Sequence, residues 1–243
     1  MGGFVDLSSI SFAVYIAIIP SIILCLYVYH MDVIEKEPIR LLFILFFIGV
    51  LITLPARFVE RLLITSNNMD YVNYYANYKD SFFLSFAIIA VVEEGYKYLV
   101  LLASSWKNKE FDYKYDAIVY SVFISLGFAT LENILYIQNA DFTVVLLRGV
   151  ISVPAHAFFA IASGFFVGFA KEASLKKEKK KVLLYLLLAL IVPIILHGTF
   201  DFLLLTENSV MFGICISFVT LLYIVSYYAI IHTNNKGKII KKR

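Results

Sequence analysis

Seven stretches of this chain, roughly residues 10–30, 39–64, 81–104, 115–137, 142–170, 182–206 and 210–232, are long and apolar enough to cross a bilayer. A hydrocarbon core of about 30 Å takes around 20 residues of helix. The expected fold is therefore all-α, a polytopic membrane helix bundle of about seven transmembrane helices, read as one domain over residues 1–243. Composition agrees: 61% of residues are hydrophobic and 16% charged, against about 45–50% and about 25% in soluble domains. Such a chain is not disordered, and it is neither a nucleic-acid binder nor a disulfide scaffold, since Cys25 and Cys215 both lie inside apolar runs. The leading MGGFVDLSS lacks the basic stretch of a signal peptide, so the first run is read as part of the mature fold.

The basic residues set an orientation. Segments 31–40, 105–114, 171–181 and 233–243 hold 16 Lys and Arg, whereas the opposite side holds only Arg57, Arg61 and Lys79. Positive residues stay in the cytoplasm, which places the N-terminus out and the C-terminus in.

More informative are the ionisable residues inside the apolar runs: Glu93, Glu94 and Lys97 in the third, Glu132 in the fourth, Arg148 and His156 in the fifth, His197 and Asp201 in the sixth. A charge at mid-membrane costs about 2.5–3.5 kcal/mol on insertion scales, so six facing lipid singly would cost on the order of 15–20 kcal/mol. They must face one another or an aqueous cavity. Glu93 and Lys97 are i,i+4 neighbours, as are His197 and Asp201, so each pair shares a helix face. At about 1.5 Å per residue, Glu93 lies roughly 18 Å from the outer end of its span, His156 roughly 20 Å, His197 roughly 14 Å, and Glu132 and Asp201 roughly 8 Å. These groups can converge in the middle to outer half of the membrane, and Arg148 lies at the right depth to meet Glu132.

Pro154 and Pro193 stand two and four residues before the two histidines, where each is expected to distort its helix. The spacing of Ala160, Gly164 and Gly168 marks a face that admits another helix closely. Asp116 reads as a helix cap.

The formal charge of the embedded set is −2, from four acids and two bases. Low dielectric then calls for a bound dication or for protonation of two acids. Two hydrolytic mechanisms follow. In one, two histidines and a glutamate (Glu93, His156 and His197) hold zinc, whose water becomes the nucleophile. In the other, a glutamate is the general base and no metal is needed, with His197 or a partner donating to the oxyanion. A proton-coupled transporter uses the same residue types, although the chain shows no inverted repeat.

The motifs go further. EEGYK at Glu93 to Lys97, DAIVYSVFISLGFATLENILY from Asp116 to Tyr136, Arg148 followed by PAHAFFAIASGFFVG, and HGTFDF from His197 to Phe202 together resemble the PrsW family of intramembrane proteases, relatives of the CAAX prenyl endopeptidases. The resemblance covers about residues 81–205. It implies a multi-pass protease of a prokaryotic cell membrane that cuts a single-span substrate, a membrane-anchored anti-sigma factor, near the extracytoplasmic face. By position, Glu93 and Glu94 match the paired glutamates, one of which activates water. His197 and Asp201 match the final HxxxD motif, which binds metal or stabilises the oxyanion. Glu132 stands where the CAAX relatives carry a histidine, for which His156 can substitute. Lys97, Arg148 and Asn133 take supporting places.

Overall fold

The computed structural model describes residues 7–67, 69, 77–137, 142–206 and 208–235. Among them the regular structure is helical: α1 (Leu7–Met31), α2 (Ile39–Ser66), α3 (Tyr78–Phe82), α4 (Val91–Ser105), α5 (Lys114–Ile137), α6 (Phe142–Leu147), α7 (Val153–Leu175), α8 (Lys179–Leu205) and α9 (Ser209–Asn235). A π-helical segment, Phe83–Ala90, joins α3 to α4, and another, Arg148–Ser152, joins α6 to α7. Seven rods result, matching the seven apolar runs. Six are long and apolar enough to cross a membrane by length and hydropathy alone. The rod over 78–105 has the length, but Glu93, Glu94 and Lys97 lie along it, and all three are buried. The chain is a multi-pass membrane protein. The turn at 138–141, the tail at 236–243 and most of the polar run after Asn67 lie outside the described residues.

α5 is the central rod. Of its spanning window 83% is buried inside the protein, against 22% for α8 and for α9, which leaves those two facing lipid over most of their surface. Small residues make this possible. A Cβ on Gly164 of α7 would stand 2.5 Å from the Ala117 carbonyl and from Ser121 Oγ, and one on Gly168 would stand 2.6 Å from the Lys114 carbonyl. The face expected from Ala160, Gly164 and Gly168 is therefore the α5 seam. α2 approaches α5 just as closely, since a Cβ on Gly49 or Gly127 would collide with the carbonyl of Ile124 or Phe46. Hydroxyls add polar links across these seams: Ser121 Oγ donates to the Ala160 carbonyl (2.7 Å) and Thr53 Oγ1 to that of Phe128 (3.3 Å). We expect Gly164→Leu to lower stability by at least about 2 kcal/mol through overpacking. Gly213→Leu, at a position with open space around it, should be near neutral, and thermal unfolding in detergent reads both.

Pro154 falls at the start of α7, directly after the π-helical segment. The expected distortion beside His156 is thus a widened turn, where a missing proline N–H is absorbed by re-paired carbonyls. Pro193 lies inside α8, which runs as α-helix from Lys179 to Leu205.

At the lysine-rich end, Asp116 Oδ2 accepts the backbone N–H groups of Asp112 (2.9 Å) and Tyr113 (2.7 Å), which makes it a cap of α5. Nearby, in the loop before α2, Glu37 Oε2 accepts the Tyr120 hydroxyl at 2.6 Å. Burial, reinforced by Asp32 and Glu110, pushes the Glu37 carboxyl up from its ordinary 4.5 to about 7 against the opposing Tyr120 and Asp116 hydrogen bonds. A raised acid binds its proton more tightly folded than unfolded. Its stability contribution is therefore full at low pH and is lost as pH rises through that value. Between about pH 4.5 and 7, wild-type melting temperature should fall relative to that of Glu37→Gln; parallel curves across that range would contradict this.

Candidate active site

Glu93, Glu94 and Lys97 occupy the first two turns of α4, immediately after the π-helical segment. Glu93 and Glu94 point about 100° apart on a helix, yet one long side chain answers both. Lys97 Nζ donates to Glu93 Oε2 (3.0 Å) and Glu94 Oε1 (2.9 Å), and it lies 3.2 Å from His156 Nδ1 on α7. It also rests 4.3 Å from the centre of the Phe128 ring. All three N–H bonds of the ammonium are therefore spoken for. Because an ammonium can only donate, His156 presents its Nδ1 lone pair to Lys97, which leaves the ring proton on Nε2, the nitrogen on the Glu132 side. Glu132 Oε2 lies 3.0 Å from that nitrogen.

The other glutamate oxygen is held from a different helix. Arg148 donates from its terminal nitrogen to Glu132 Oε1 (2.8 Å) and from Nε to Asn133 Oδ1 (2.9 Å), so the expected pairing across the α5–α6 turn is present. The guanidinium lies 3.8 Å over the Tyr136 ring. His156 is further fixed through its backbone, whose carbonyl accepts Ser125 Oγ at 3.0 Å.

His197, on α8, closes the well from the opposite wall. Its Nδ1 lies 2.9 Å from Glu94 Oε1, while Nε2 lies 3.3 Å from Asp201 Oδ2 and 4.0 Å from Glu93 Oε2. The ring stacks on Phe159, with centroids 4.9 Å apart, and meets His156 edge-on at 5.2 Å. Asp201 is one helical turn beyond His197, as the i,i+4 spacing requires.

All six residues expected to be catalytic, and all three supporting ones, therefore join a single network across four rods. Glu93, Glu94, Lys97, His156 and His197 are buried, whereas Asp201 and Arg148 keep 18% and 21% of their side chains exposed. The two partly exposed members of the network, Asp201 and Arg148, lie toward the end opposite the lysine-rich loops. Glu60 on α2 was not anticipated. It lies among the charges of Glu93, Glu132, Arg57 and His197, but Arg57 and Arg61 beside it in sequence make it read as part of a span flank. Its helical spacing from Thr53 and Ala56 is the signal that could have found it.

One donor atom from each of Glu93, Glu94, His156 and His197 can be chosen so that all lie within 4.8 Å of one another. Two imidazoles and two carboxylates are the donor types zinc takes, so the residues fit a divalent ion in kind. The Lys97 ammonium draws on three of the same four residues.

A family model described as "PrsW family intramembrane metalloprotease" matches residues 37–231. Among curated proteins, the chain is 37% identical over 196 residues to the Protease PrsW of Clostridioides difficile strain 630, covering 79% of each chain. To that of Oceanobacillus iheyensis it is 35% identical over 217 residues, covering 89% of this chain and 94% of the relative. To that of Bacillus subtilis strain 168 it is 36% identical over 187 residues, covering 77% and 80%. No solved structure matches the chain. With the buried acid–imidazole well on its helices and these relatives over most of its length, the chain belongs to the PrsW family, as a multi-pass intramembrane peptidase of a bacterial membrane.

Proposed function

We propose that the chain hydrolyses one peptide bond of a single-span, membrane-anchored substrate of the anti-sigma-factor kind, near the extracytoplasmic face, with its N-terminus outside. The family resemblance supports the substrate class. The lysine distribution, together with the partial exposure of Asp201 and Arg148 away from the lysine-rich end, supports the side of the membrane.

The observation that carries the mechanism is the 4.0 Å gap between Glu93 Oε2 and His197 Nε2. It is wider than a hydrogen bond, so Glu93 and His197 can each face one of the two oxygens of a tetrahedral intermediate, the water-derived one at Glu93 and the carbonyl-derived one at His197. Glu94 is engaged by Lys97 and by His197 at the same oxygen, which makes it the residue that orients the imidazole. Glu93, with Lys97 alone in hydrogen-bond range, is the base. It takes a proton from the attacking water and returns it to the leaving amide nitrogen. His197, fixed between Glu94 and Asp201, donates to the oxyanion that develops on the carbonyl. Lys97 balances the charge of the glutamate pair, and Arg148, Glu132 and Asn133 hold His156 and the far wall in place.

A metal-assisted reading is favoured by the four clustered donors. Glu93, His156 and His197 would then hold a zinc ion, which when bound supplies Lewis acidity for the water and the substrate carbonyl. Metal content separates the readings. Purified active protein should carry well under one zinc per chain and keep its activity in chelator; stoichiometric zinc, lost together with activity, would select the metal-assisted reading.

A further inference from the structure

Four carboxylates of the well each stand within ion-pair distance of a cation or an imidazole: Glu93 and Glu94 with Lys97, Glu132 with Arg148, and Asp201 with His197. Among the described residues Glu60 does not. Its Oε1 is buried without a hydrogen-bond partner there; Glu132 Oε2 likewise makes no hydrogen bond, but it has the His156 ring nitrogen 3.0 Å away, whereas Glu60 has no such neighbour in ion-pair range. The basic residue one turn earlier, Arg57, is turned onto the face of Tyr136 at 5.0 Å. The position of Glu60 is set by the α2–α5 seam. Gly49, Thr53 and Ala56 are buried against the neighbouring helices, and the next turn of that face carries Glu60. Val59 and Leu63 on either side pack against the cluster of Ala56, Val92 and Phe128, and the Phe128 ring lies 4.3 Å from the Lys97 ammonium. Glu60 thus borders the well beside Glu93, Glu132 and His197.

A carboxylate oxygen withdrawn from water without a donor is a standing cost, and a membrane-embedded peptide brings the donor it lacks. A helical substrate satisfies its own backbone. Presenting one bond to Glu93 requires that helix to be drawn out, and each N–H so released into a low-dielectric region costs several kcal/mol unless the enzyme supplies an acceptor. We propose that Glu60 is a substrate-positioning residue whose Oε1 accepts a backbone N–H of the unwound substrate next to the scissile bond. The proposal rests on the hydrolase reading above.

The test is kinetic and uses the full chain in proteoliposomes with a fluorogenic single-span peptide. Glu60→Leu should raise KM about tenfold, the size of one lost hydrogen bond, with kcat within about twofold. Glu60→Gln keeps an acceptor oxygen and should recover most of the loss. A set of peptides in which one backbone N–H at a time is replaced by an ester oxygen then completes a double-mutant cycle. At one position near the cut, the ester should raise KM for the wild type by a similar factor and have no further effect on Glu60→Leu. Should Glu60→Leu lose its melting transition, Glu60→Ala carries the same cycle. Esters that act equally on wild type and variant at every position would overturn the proposal, as would a loss confined to kcat. Failure of the wild type to cleave any peptide would instead overturn the hydrolase reading itself.

Discussion

Glu93→Gln is expected to lower kcat by about 10³-fold or more while leaving the protein folded. A positioned general base contributes roughly 10²–10⁴-fold. The amide is isosteric and can still accept one N–H of Lys97, so the packing of α4 need not change, but it cannot take a proton from water. Glu94→Gln should behave differently. Glu94 meets Lys97 and His197 at 2.9 Å each, and its replacement misorients the imidazole without removing the base, for an expected loss of about 10- to 100-fold. Single-turnover cleavage of a membrane-spanning peptide, with the melting temperature measured in parallel, separates the two. Retention of a tenth or more of wild-type activity by Glu93→Gln would mean that another group activates the water.

Lys97→Met should destabilise the protein by about 3–5 kcal/mol, the usual result of removing one partner from a buried ion pair. Lys97 is buried with both glutamates and is the cation bonded to each of them. Methionine matches much of its stem, so the expected loss comes from two carboxylates left without a counter-charge and from the vacated contact with His156. Lys97→Arg should not restore it, because a planar five-donor fork cannot reproduce three convergent bonds from a point charge in a closed space. Equilibrium unfolding in detergent reads the effect, and a change below about 1 kcal/mol would contradict the role of Lys97 as the charge centre.

How far such a site can be read without coordinates depends on whether its contacts run along one helix or between helices. The i,i+4 pairs Glu93/Lys97 and His197/Asp201 follow from helical period, and both are found within 3.3 Å. That four rods bring their acids and imidazoles together was also legible, from the cost of leaving those groups in lipid. Which atoms meet was not: nothing in the sequence says that Lys97 reaches His156, or that Glu94 rather than Glu93 holds His197 Nδ1. Those pairings depend on the rotation of α4 against α7 and α8. That rotation is set in part by the π-helical segment Phe83–Ala90, whose sequence, apolar apart from Ser85, carries no periodic sign of a widened turn. Glu60 was missed for a related reason. Flanking arginines matter for insertion, whereas burial depends on the close α2–α5 approach at Gly49 and Gly127. The same closeness was anticipated for α7 because its small residues recur every four positions.

The most direct test of a hydrolytic well gathered from α4, α5, α7 and α8 is mass spectrometry of a single-span peptide incubated with the purified full chain in liposomes. The expected result is two complementary fragments from a cut at the membrane depth of Glu93 and His197, with one solvent oxygen incorporated into the new carboxyl terminus. Intact peptide together with proton flux through the same liposomes would show that the buried acids and imidazoles carry protons across the membrane and cut nothing.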